Sequence, residues 1–595
     1  MINIYSNIQN FINRLLIWRL KHVNDKYFII FLSVIVGALA GLTAVLIKNT
    51  VHFISFLLTY NFSDKYQNFF YLAYPAIGIL IVIVLLKFIL KKKPKPEIPN
   101  VLYAISRLEG KLKASNIYTT ILASTITVGF GGSVGLEGPS VTTGASVGSS
   151  LAQLLRLSYK QTILLIGCAG AAAIASLFKA PVTGIVFALE IFMLDLTMAS
   201  ILPLLISSVT GALASYLFFG QDVIYDFQLI SKFNIKEIPY YLILGLLTGF
   251  FAVYFTAIQI SIKKLFKKIS SWIVRLAIGG TILGILIFFM PSLFGEGYQT
   301  VNSSLHGDYS YLFEHSQFYE YKDSIYSVIL MFLALVIFKS IATAVTFGAG
   351  GVGGIFAPIL FLGANLGFLI AKLFEVIGIR VQASNYALVG MAGLLSGVMY
   401  APLTGIFLIA EITNGYELIF PLMLVSTISY AIARGFNPHS IYTRKLAKDG
   451  NLITHNKDKA VLSMMKVEKH IETNFRSVKP NDTLRKLIEI ISKSNRNLYP
   501  IIDEENNFLG IVFLDHIKHI IFKPEFYDTI VVKDLGFIPQ ALVKPDDTME
   551  EVVKKFQETG NFNMPVVKDG KYLGFVSRAN IFSAYRKKLN YFSEE

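Results

Sequence analysis

Runs of apolar residues, broken by glycine and proline, alternate with short polar stretches over the first 450 residues of the chain. A helix needs about 20 apolar residues to cross a bilayer. The runs that are long enough to cross or enter one cover 27–47, 71–90, 161–178, 198–219, 239–258, 272–290, 325–345 and 384–400. Shorter or glycine-interrupted runs cover 118–130, 140–155, 181–194 and 355–373, which is typical of transporters whose helices end within the membrane. The pattern predicts an all-α polytopic membrane domain.

The pattern changes near residue 444, after which charged residues become frequent and no run reaches membrane length. Strand-like segments there alternate with amphipathic helices, which is typical of small α/β domains. We interpret residues 1–450 as a membrane transport domain and residues 451–463 as a linker. Two repeated α/β units follow, at 464–524 and 533–590.

Composition narrows the class of protein. The mean hydropathy is +0.56 and 54% of the residues are hydrophobic, which excludes an ordinary soluble enzyme of this size. The net charge of +15 comes from basic residues near the N-terminus, at 91–95 and in the C-terminal region. By the positive-inside rule, both termini are expected to be cytoplasmic, in a bacterial inner membrane. We interpret the lysines as serving topology and solubility rather than nucleic-acid binding.

The membrane domain contains an internal duplication. Gly350–Pro358 repeats Gly131–Pro139 at an offset of 219 residues, and Ala401–Ile406 repeats Ala180–Ile185 at an offset of 221. The repeat halves cover roughly 30–220 and 238–445. An odd number of membrane crossings between the copies would give them opposite topology. The sequence therefore predicts an inverted repeat whose two glycine loops meet near the middle of the membrane.

Each glycine loop leads into an apolar helix, expected to begin near Pro139 or Pro358. Glycine lets backbone amides approach a ligand, and each helix N-terminus adds about half a positive charge. Two such termini can stabilise an anion without a lysine or arginine that would hold it tightly. Glu137 adds a carboxylate to the first loop, and this charge competes with an anion for the site. The alternative is that the glycines serve only close helix packing.

These residues closely resemble the CLC family of chloride channels and anion/proton exchangers. Gly135-Leu136-Glu137-Gly138-Pro139 resembles the family motif G-x-E-G-P, and Gly354-Ile355-Phe356-Ala357-Pro358 resembles its motif G-x-F-x-P. The resemblance implies a homodimer with one anion pathway per subunit and about eighteen helical segments in each. It also implies that Glu137 is the gating glutamate, which leaves its site on protonation. By the same resemblance, the anion-binding residues are Gly135, Leu136, Gly138, Gly354, Ile355 and Phe356.

The resemblance assigns two further positions of the anion pathway. Tyr442 lies where the family places a tyrosine hydroxyl at the central site, although a juxtamembrane tyrosine also serves as an interfacial anchor. Pro96, in Lys95–Pro99, takes the place of the serine in the family's G-S-G-I-P loop. Pro96 resembles the substitution associated with nitrate preference in plant relatives. We expect weakened chloride selectivity, and the choice between chloride and nitrate stays open.

The sequence departs from the family pattern at the residue that passes protons from the inner side of the membrane towards the gating glutamate. Exchangers of the family commonly carry an inner glutamate, and the corresponding residue here is Ile191. We interpret Glu190 and its repeat mate Glu411 as structural groups that cap or hydrogen-bond helix ends. Asp195 is a further candidate for the inner acid. Because some exchangers lack this acid, a proton-coupled exchanger and a passive voltage- or pH-gated chloride channel both stay open.

The two C-terminal units resemble a tandem pair of cystathionine-beta-synthase (CBS) domains, a regulatory module that often binds adenine nucleotides. Helix starts are expected at 480–484 and 545–549, strand pairs at 497–503 with 508–512 and at 563–569 with 572–576, and helices at 516–522 and 578–587. Ser577 and Asn580 fit the family's phosphate- and ribose-binding pattern, whereas the first copy has Phe513 in place of the hydroxyl. The pair is therefore expected either to bind one adenine nucleotide or to be purely structural.

The sequence thus predicts a protein that transports small inorganic anions, with or without coupling to protons, and that has the lipid bilayer and a second subunit as partners. No motif requires a cofactor, a metal ion or nucleic acid. A CBS-containing divalent-cation transporter is a remote alternative, because it would need several converging carboxylates. An enzyme is not expected, since the chain has no Walker loop, metal-spaced His/Cys cluster or nucleophile elbow.

Overall fold

The computed structural model describes residues 19, 21–59, 69–92, 97–193, 197–220, 233–449, 462 and 465–593. The chain forms two compact units, Met1–Leu452 and Ile453–Glu595. In the described residues the first unit is helical, whereas the second combines short helices with two small sheets. The linker predicted at 451–463 lies outside the described residues, apart from Leu462.

The first unit is built from two similar sets of helices. The N-terminal set comprises α1 (Asp25–Thr59), α2 (Tyr74–Val84), α3 (Glu97–Arg107), α4 (Ser115–Gly129), α5 (Glu137–Leu154), α6 (Tyr159–Phe178), α7 (Pro181–Phe192) and α8 (Met198–Phe219). The C-terminal set comprises α9 (Ile238–Lys268), α10 (Trp272–Phe289), α11 (Tyr298–Leu305), α12 (Ile325–Ala349), α13 (Phe356–Val376), α14 (Ala383–Met399), α15 (Pro402–Ile412) and α16 (Ile419–Phe436), with the short helix α17 (Arg444–Lys448) after it.

The two sets pack in the same way. Helix α5 lies along α6 as α13 lies along α14, and α1 packs against α8 as α9 packs against α16. The helices share a large apolar core that runs through both halves. The predicted duplication is therefore a duplication of structure as well as of sequence.

Eight helices of the described residues are long and apolar enough to cross a membrane: α1, α6, α8, α9, α10, α12, α13 and α16. Shorter apolar helices cover Tyr74–Ile89, Pro181–Phe192, Ala383–Met399 and Pro402–Ile412. The mixture of full-length and short apolar helices in two copies confirms the predicted polytopic inverted-repeat architecture.

Two apolar runs differ in detail from their sequence pattern. The run 71–90 forms the 11-residue helix α2 and then a π-helical turn at Leu85–Ile89. The glycine-interrupted run 355–373 forms one continuous helix of 21 residues, α13. A Cβ atom on Gly363 would lie 2.5 Å from the Gly390 carbonyl oxygen of α14. This glycine therefore serves close helix contact and does not break the helix.

The second unit contains two antiparallel hairpins, β1 (Leu498–Ile502) with β2 (Phe508–Phe513) and β3 (Asn563–Lys568) with β4 (Lys571–Ser577). Its helices are α18 (Leu484–Ser492), α19 (Leu514–Ile517), α20 (Val532–Leu535), α21 (Met549–Thr559) and α22 (Arg578–Ser593).

The helix starts expected in this unit are confirmed. The hydroxyl of Thr483 accepts a hydrogen bond from the Lys486 amide, and that of Thr548 accepts one from the Glu551 amide. The helix predicted at 516–522 is wrong, because α19 ends at Ile517 and turns follow it. The next residues include the β-branched pair at 520–521 and then Pro524, all of which disfavour a longer helix.

Candidate functional site

The two glycine loops meet and pair with each other. Gly135 N donates to Gly354 O at 2.8 Å, and Gly354 N donates to Gly135 O at 2.7 Å. A Cβ atom on Gly354 would lie 2.7 Å from the Gly138 nitrogen, so only glycine permits this approach. Because the paired glycines are repeat mates, an approximate two-fold axis of the duplication passes between them.

A second reciprocal contact holds the loops together. Thr127 Oγ1 accepts a hydrogen bond from Val352 N at 3.1 Å, and Thr346 Oγ1 accepts one from Ser133 N at 3.2 Å. Each threonine is the repeat mate of the other, as Ser133 and Val352 are. Each half of the chain therefore positions the glycine loop of the other half.

Glu137 lies in the first turn of α5 and is buried. Its Oε2 atom accepts a hydrogen bond from Ala357 N, in the first turn of α13, at 3.2 Å. Its Oε1 atom accepts one from the hydroxyl of Tyr298. The carboxylate of α5 thus reaches the N-terminus of α13, where free amides and the helix dipole favour a negative charge.

The structure brings most of the predicted pathway residues together around this carboxylate. Gly135, Leu136, Gly138, Gly354, Ile355 and Phe356 are all buried in the two paired loops and in the helix starts that follow them. The ring of Phe356 packs against that of Phe178, with centroids 5.5 Å apart. Helices α5 and α13 both begin two residues before their prolines, close to the expected positions.

Two further pathway positions were predicted, Tyr442 and Pro96. Tyr442 is buried in the main apolar core, in the turn before α17. A tyrosine that anchors a helix at the membrane–water interface keeps its hydroxyl end exposed there, whereas the Tyr442 side chain is buried. Pro96 lies outside the described residues.

Glu190 and Glu411 make equivalent contacts, each with the start of a helix in the other repeat. Glu411 accepts hydrogen bonds from the amides of Val182 and Thr183 at 2.9 and 2.7 Å, at the start of α7. Glu190 accepts them from the amides of Leu403 and Thr404 at 3.0 and 2.8 Å, at the start of α15. Each carboxylate caps a helix of the other repeat, which agrees with the structural role inferred from the sequence.

The position of the usual inner acid is apolar. Ile191 is buried within α7 and is part of the main core. The neighbouring Glu190 directs its carboxylate to α15, as described above. Asp195, the other candidate for an inner acid, lies outside the described residues.

Three polar residues near Glu137 were not predicted from the sequence. Glu296 Oε1 accepts a hydrogen bond from Leu136 N at 3.2 Å, and Tyr298 donates to Glu137. The fully buried Lys339 donates to the carbonyl oxygen of Gly295 at 2.8 Å. Two signals in the chain pointed to them: a carboxylate between glycines at 295–297, and a lysine within the apolar run 325–345.

In the second unit, the two predicted nucleotide contacts share one internal partner. Ser577 Oγ donates to Glu472 Oε1 at 2.6 Å, and Asn580 Nδ2 donates to the same atom at 3.2 Å. Arg496 donates to the other oxygen of Glu472 at 2.8 Å. Burial alone would raise the pKa of Glu472, but these three donors outweigh it and hold that pKa below its ordinary value. Glu472 therefore already accepts hydrogen bonds from both side chains that were predicted to contact phosphate and ribose.

Comparison with known proteins connects this geometry to a family. Residues 78–434 match the sequence profile of the voltage-gated chloride channel family, and residues 467–523 and 532–587 each match that of the CBS domain. A ClcB-like chloride channel protein of Ralstonia nicotianae is 33% identical over 383 residues, which cover 63% of this chain and 85% of that protein. The H⁺/Cl⁻ exchange transporter ClcA of Vibrio cholerae is 28% identical over 436 residues, which cover 70% of this chain and 89% of ClcA.

Solved structures show the same fold. A slow cyanobacterial Cl⁻/H⁺ antiporter superposes with a TM-score of 0.61 at 21% identity, over 72% of this chain and 98% of that one. A eukaryotic CLC transporter superposes with a TM-score of 0.57 at 18% identity, over 94% of this chain and 99% of that one. With the profile match over more than half of its length, the chain belongs to the CLC family of chloride channels and transporters and carries a C-terminal pair of CBS domains.

Proposed function

We propose that this anion-transport protein exchanges chloride, or a related small anion, for protons, with Glu137 as its gate. The observation that carries the proposal is the hydrogen bond from Ala357 N to the Glu137 carboxylate. A carboxylate that sits on a helix N-terminus occupies the position of a mobile anion. When it is protonated it loses that attraction, and an incoming anion takes its place.

The surroundings of Glu137 support an anion pathway. The amides at the starts of α5 and α13 offer partial positive charge without a permanent ion pair, so an anion can enter and leave. We assign the anion contacts to the loops of Gly135, Leu136 and Gly138 and of Gly354, Ile355 and Phe356, with Tyr442 at the central position. Exchange activity is proposed by analogy with the relatives whose names describe them as H⁺/Cl⁻ exchangers.

The test is flux through the purified protein in lipid vesicles. We expect the wild-type protein to drive protons uphill when a chloride gradient is imposed. Glu137→Ala should remove proton movement and keep anion flux, because the removable charge is gone while the helix termini remain. Intact proton coupling in this variant would refute Glu137 as the gate.

A passive channel is the second candidate, and one observation favours it. Ile191 is a buried apolar residue at the position where exchangers commonly carry the inner glutamate. A channel would leave the reversal potential unaffected by a proton gradient, whereas an exchanger would shift it. A divalent-cation transporter has less support, because the described residues contain no group of three or more His, Cys, Asp or Glu side chains that could hold a metal ion.

The anion is proposed from the sequence at the filter position. Pro96 replaces a serine of the family loop, so the hydroxyl donor for chloride is missing there. We propose that chloride selectivity is weak and that nitrate is carried better than chloride. Chloride flux equal to or above nitrate flux in vesicles would contradict this.

We propose that the protein works as a homodimer in the bacterial inner membrane, with both termini cytoplasmic. The basic residues near the N-terminus and in the C-terminal unit support this orientation. Exposed apolar side chains on α1 and α8, such as Phe31 at 60% and Leu217 at 84%, support contact with lipid or a second subunit. Cross-linking in native membranes would test the dimer.

For the CBS pair we propose that an adenine nucleotide binds only when it displaces Glu472. Ser577 and Asn580 have the chemistry for phosphate and ribose, but both already donate to this carboxylate. No cofactor is proposed for transport itself.

A further inference from the structure

A cavity of about 490 Å³ lies next to the segment that contacts Glu137 in the first unit. Its wall includes groups that titrate or carry charge, namely Lys48, His52, Glu296, Tyr298, Glu314 and His315. Glu137 itself does not line the cavity, although Tyr298 contacts both the cavity and the Glu137 carboxylate. The cavity therefore reaches the gate through the segment that carries Glu296 and Tyr298.

Glu296 is held next to the gate by contacts on both sides. Its Oε1 atom accepts a hydrogen bond from Leu136 N, the amide of the residue directly before Glu137, at 3.2 Å. The adjacent carbonyl oxygen of Gly295 accepts a hydrogen bond from the buried Lys339. The Lys339 ammonium also lies 4.8 Å from the centre of the Phe361 ring. These contacts fix a second carboxyl group against the loop that leads into Glu137.

We propose that Glu296 is a second proton-carrying group of the transport cycle, which passes protons between the cavity and Glu137. This inference rests on the proposed function, in which Glu137 accepts a proton during exchange. In the transfer, the O–H bond of protonated Glu296 breaks, an O–H bond forms on the Glu137 carboxylate, and Glu296 keeps the negative charge. A proton from the cavity then restores Glu296.

The charges around the pair suit this transfer. Two carboxylates that share a buried site do not both stay ionised easily, so one proton is held between them. The electrostatic potential at the pair also depends on nearby titratable and charged groups. These are Lys48 and His52 of α1, Lys339 of α12, and Glu314 and His315 of the segment between α11 and α12. Lys48 and Lys339 allow one negative charge on the pair, and they limit the repulsion that this charge exerts on an entering anion.

The position of the cavity predicts the side from which the proton enters. The α1 residues that line it lie in the second half of that helix, between Lys48 and Thr59. If the N-terminus is cytoplasmic, this half of α1 faces the outer side of the membrane. Glu296 therefore serves the outer entrance for protons, opposite to the usual inner acid whose position is taken by Ile191.

The experiment compares full-length variants in vesicles, with pH changed on one side at a time. Glu296→Gln keeps an acceptor oxygen for the Leu136 amide but cannot carry a proton. We expect its proton flux to fall at least about tenfold, since a positioned proton carrier commonly contributes that much or more, while anion flux is retained. We also expect its anion flux to lose part of its dependence on outer pH and to keep its dependence on inner pH.

Glu314→Gln is the matched control, because it removes a carboxylate that lines the same cavity from a different segment of the chain. It should keep the wild-type ratio of protons to anions. Glu296→Asp retains the acid and should retain proton flux, so a loss of proton flux in both Glu296 variants would overturn the proposal in favour of a structural role. A wild-type ratio and outer-pH profile in Glu296→Gln would overturn it as well.

The outcome for Glu137→Ala separates this inference from the proposed function. If Glu137→Ala still couples protons, the gate assignment fails. If Glu137→Ala loses coupling while Glu296→Gln keeps it, the gate assignment stands and only the role of Glu296 is refuted.

Discussion

Gly135 and Gly354, which are repeat mates, form two backbone hydrogen bonds with each other, at 2.8 and 2.7 Å. This pair joins the loops that begin α5 and α13, so it sets how the two helix N-termini face the gate. Because these two hydrogen bonds join the loops, a displacement of one loop moves the other. The arrangement of the two helix starts thus depends on this pair of backbone hydrogen bonds.

The first prediction concerns this pair. Gly354→Ala would place a Cβ atom 2.7 Å from the Gly138 nitrogen, and the loops would have to separate. We expect a loss of about 1–3 kcal/mol in stability, as for other overpacked sites, together with a large fall in anion flux. Thermal unfolding in detergent and vesicle flux measure the two effects.

Gly435→Ala is the matched control for this substitution, because a Cβ atom at Gly435 meets no atom within 4 Å. It should leave both quantities unchanged or raise stability slightly, as alanine favours the helix. Equal behaviour of the two variants would mean that the close approach of the loops does not matter.

The second prediction concerns the reciprocal caps. Glu190→Ala and Glu411→Ala should each lower stability by about 1–2 kcal/mol, the usual cost of a lost helix cap. The ratio of protons to anions should not change in either variant, since each carboxylate is engaged with a helix terminus. Glu375→Ala, which removes a surface ion pair with Lys372, should cost much less. A Glu190→Ala variant with normal stability and lost proton flux would assign Glu190 to the proton route instead.

The third prediction concerns Glu472 in the CBS pair. Glu472→Ala frees Ser577 and Asn580, so calorimetry on the full-length protein should detect ATP or AMP binding more strongly than in the wild type. Ser577→Ala in the same background should remove the gain. If neither nucleotide gives heat with Glu472→Ala, these residues form a structural contact and not a ligand site.

The same contact should depend on pH. The pKa of Glu472 is below its ordinary value of 4.5 in the folded protein, so the ionised contact stabilises the fold at neutral pH. This stabilisation is lost as pH falls from 4.5 towards the lowered pKa. The difference in Tm between the wild type and Glu472→Gln should therefore shrink on acidification through this range. A difference that grows on acidification would contradict the sign.

The repeat, the helix starts beside the glycine loops and the hairpins of the C-terminal unit could be predicted from the sequence, because these depend on local pattern. Glycines before a proline, apolar runs and Thr caps identify helix starts such as Glu137 and Met549 without tertiary information. The interpretation of Glu190 and Glu411 as structural came from their equivalent positions in the repeat. The sequence could not show that each carboxylate caps a helix of the other repeat, because the partner amides lie more than 200 residues away.

The residues that were missed depend on long-range contact. Glu296 approaches Glu137 only when the segment before α11 folds against the loop before α5. Glu472 reaches Ser577 across 105 residues of the second unit, and nothing in the sequence around Glu472 indicates that contact. The helix expected at 516–522 failed for the opposite reason, since the β-branched residues and the proline after it were local signals that disfavoured it.

The crossed carboxylates of Glu190 and Glu411 have a consequence for how the membrane unit can be divided. Each half supplies a carboxylate that caps the start of one helix in the other half. A half produced alone would therefore leave backbone amides at one helix start without their hydrogen-bond partner. Residues 1–220 and 233–449, expressed as two polypeptides, should assemble when produced together and should be degraded when produced singly.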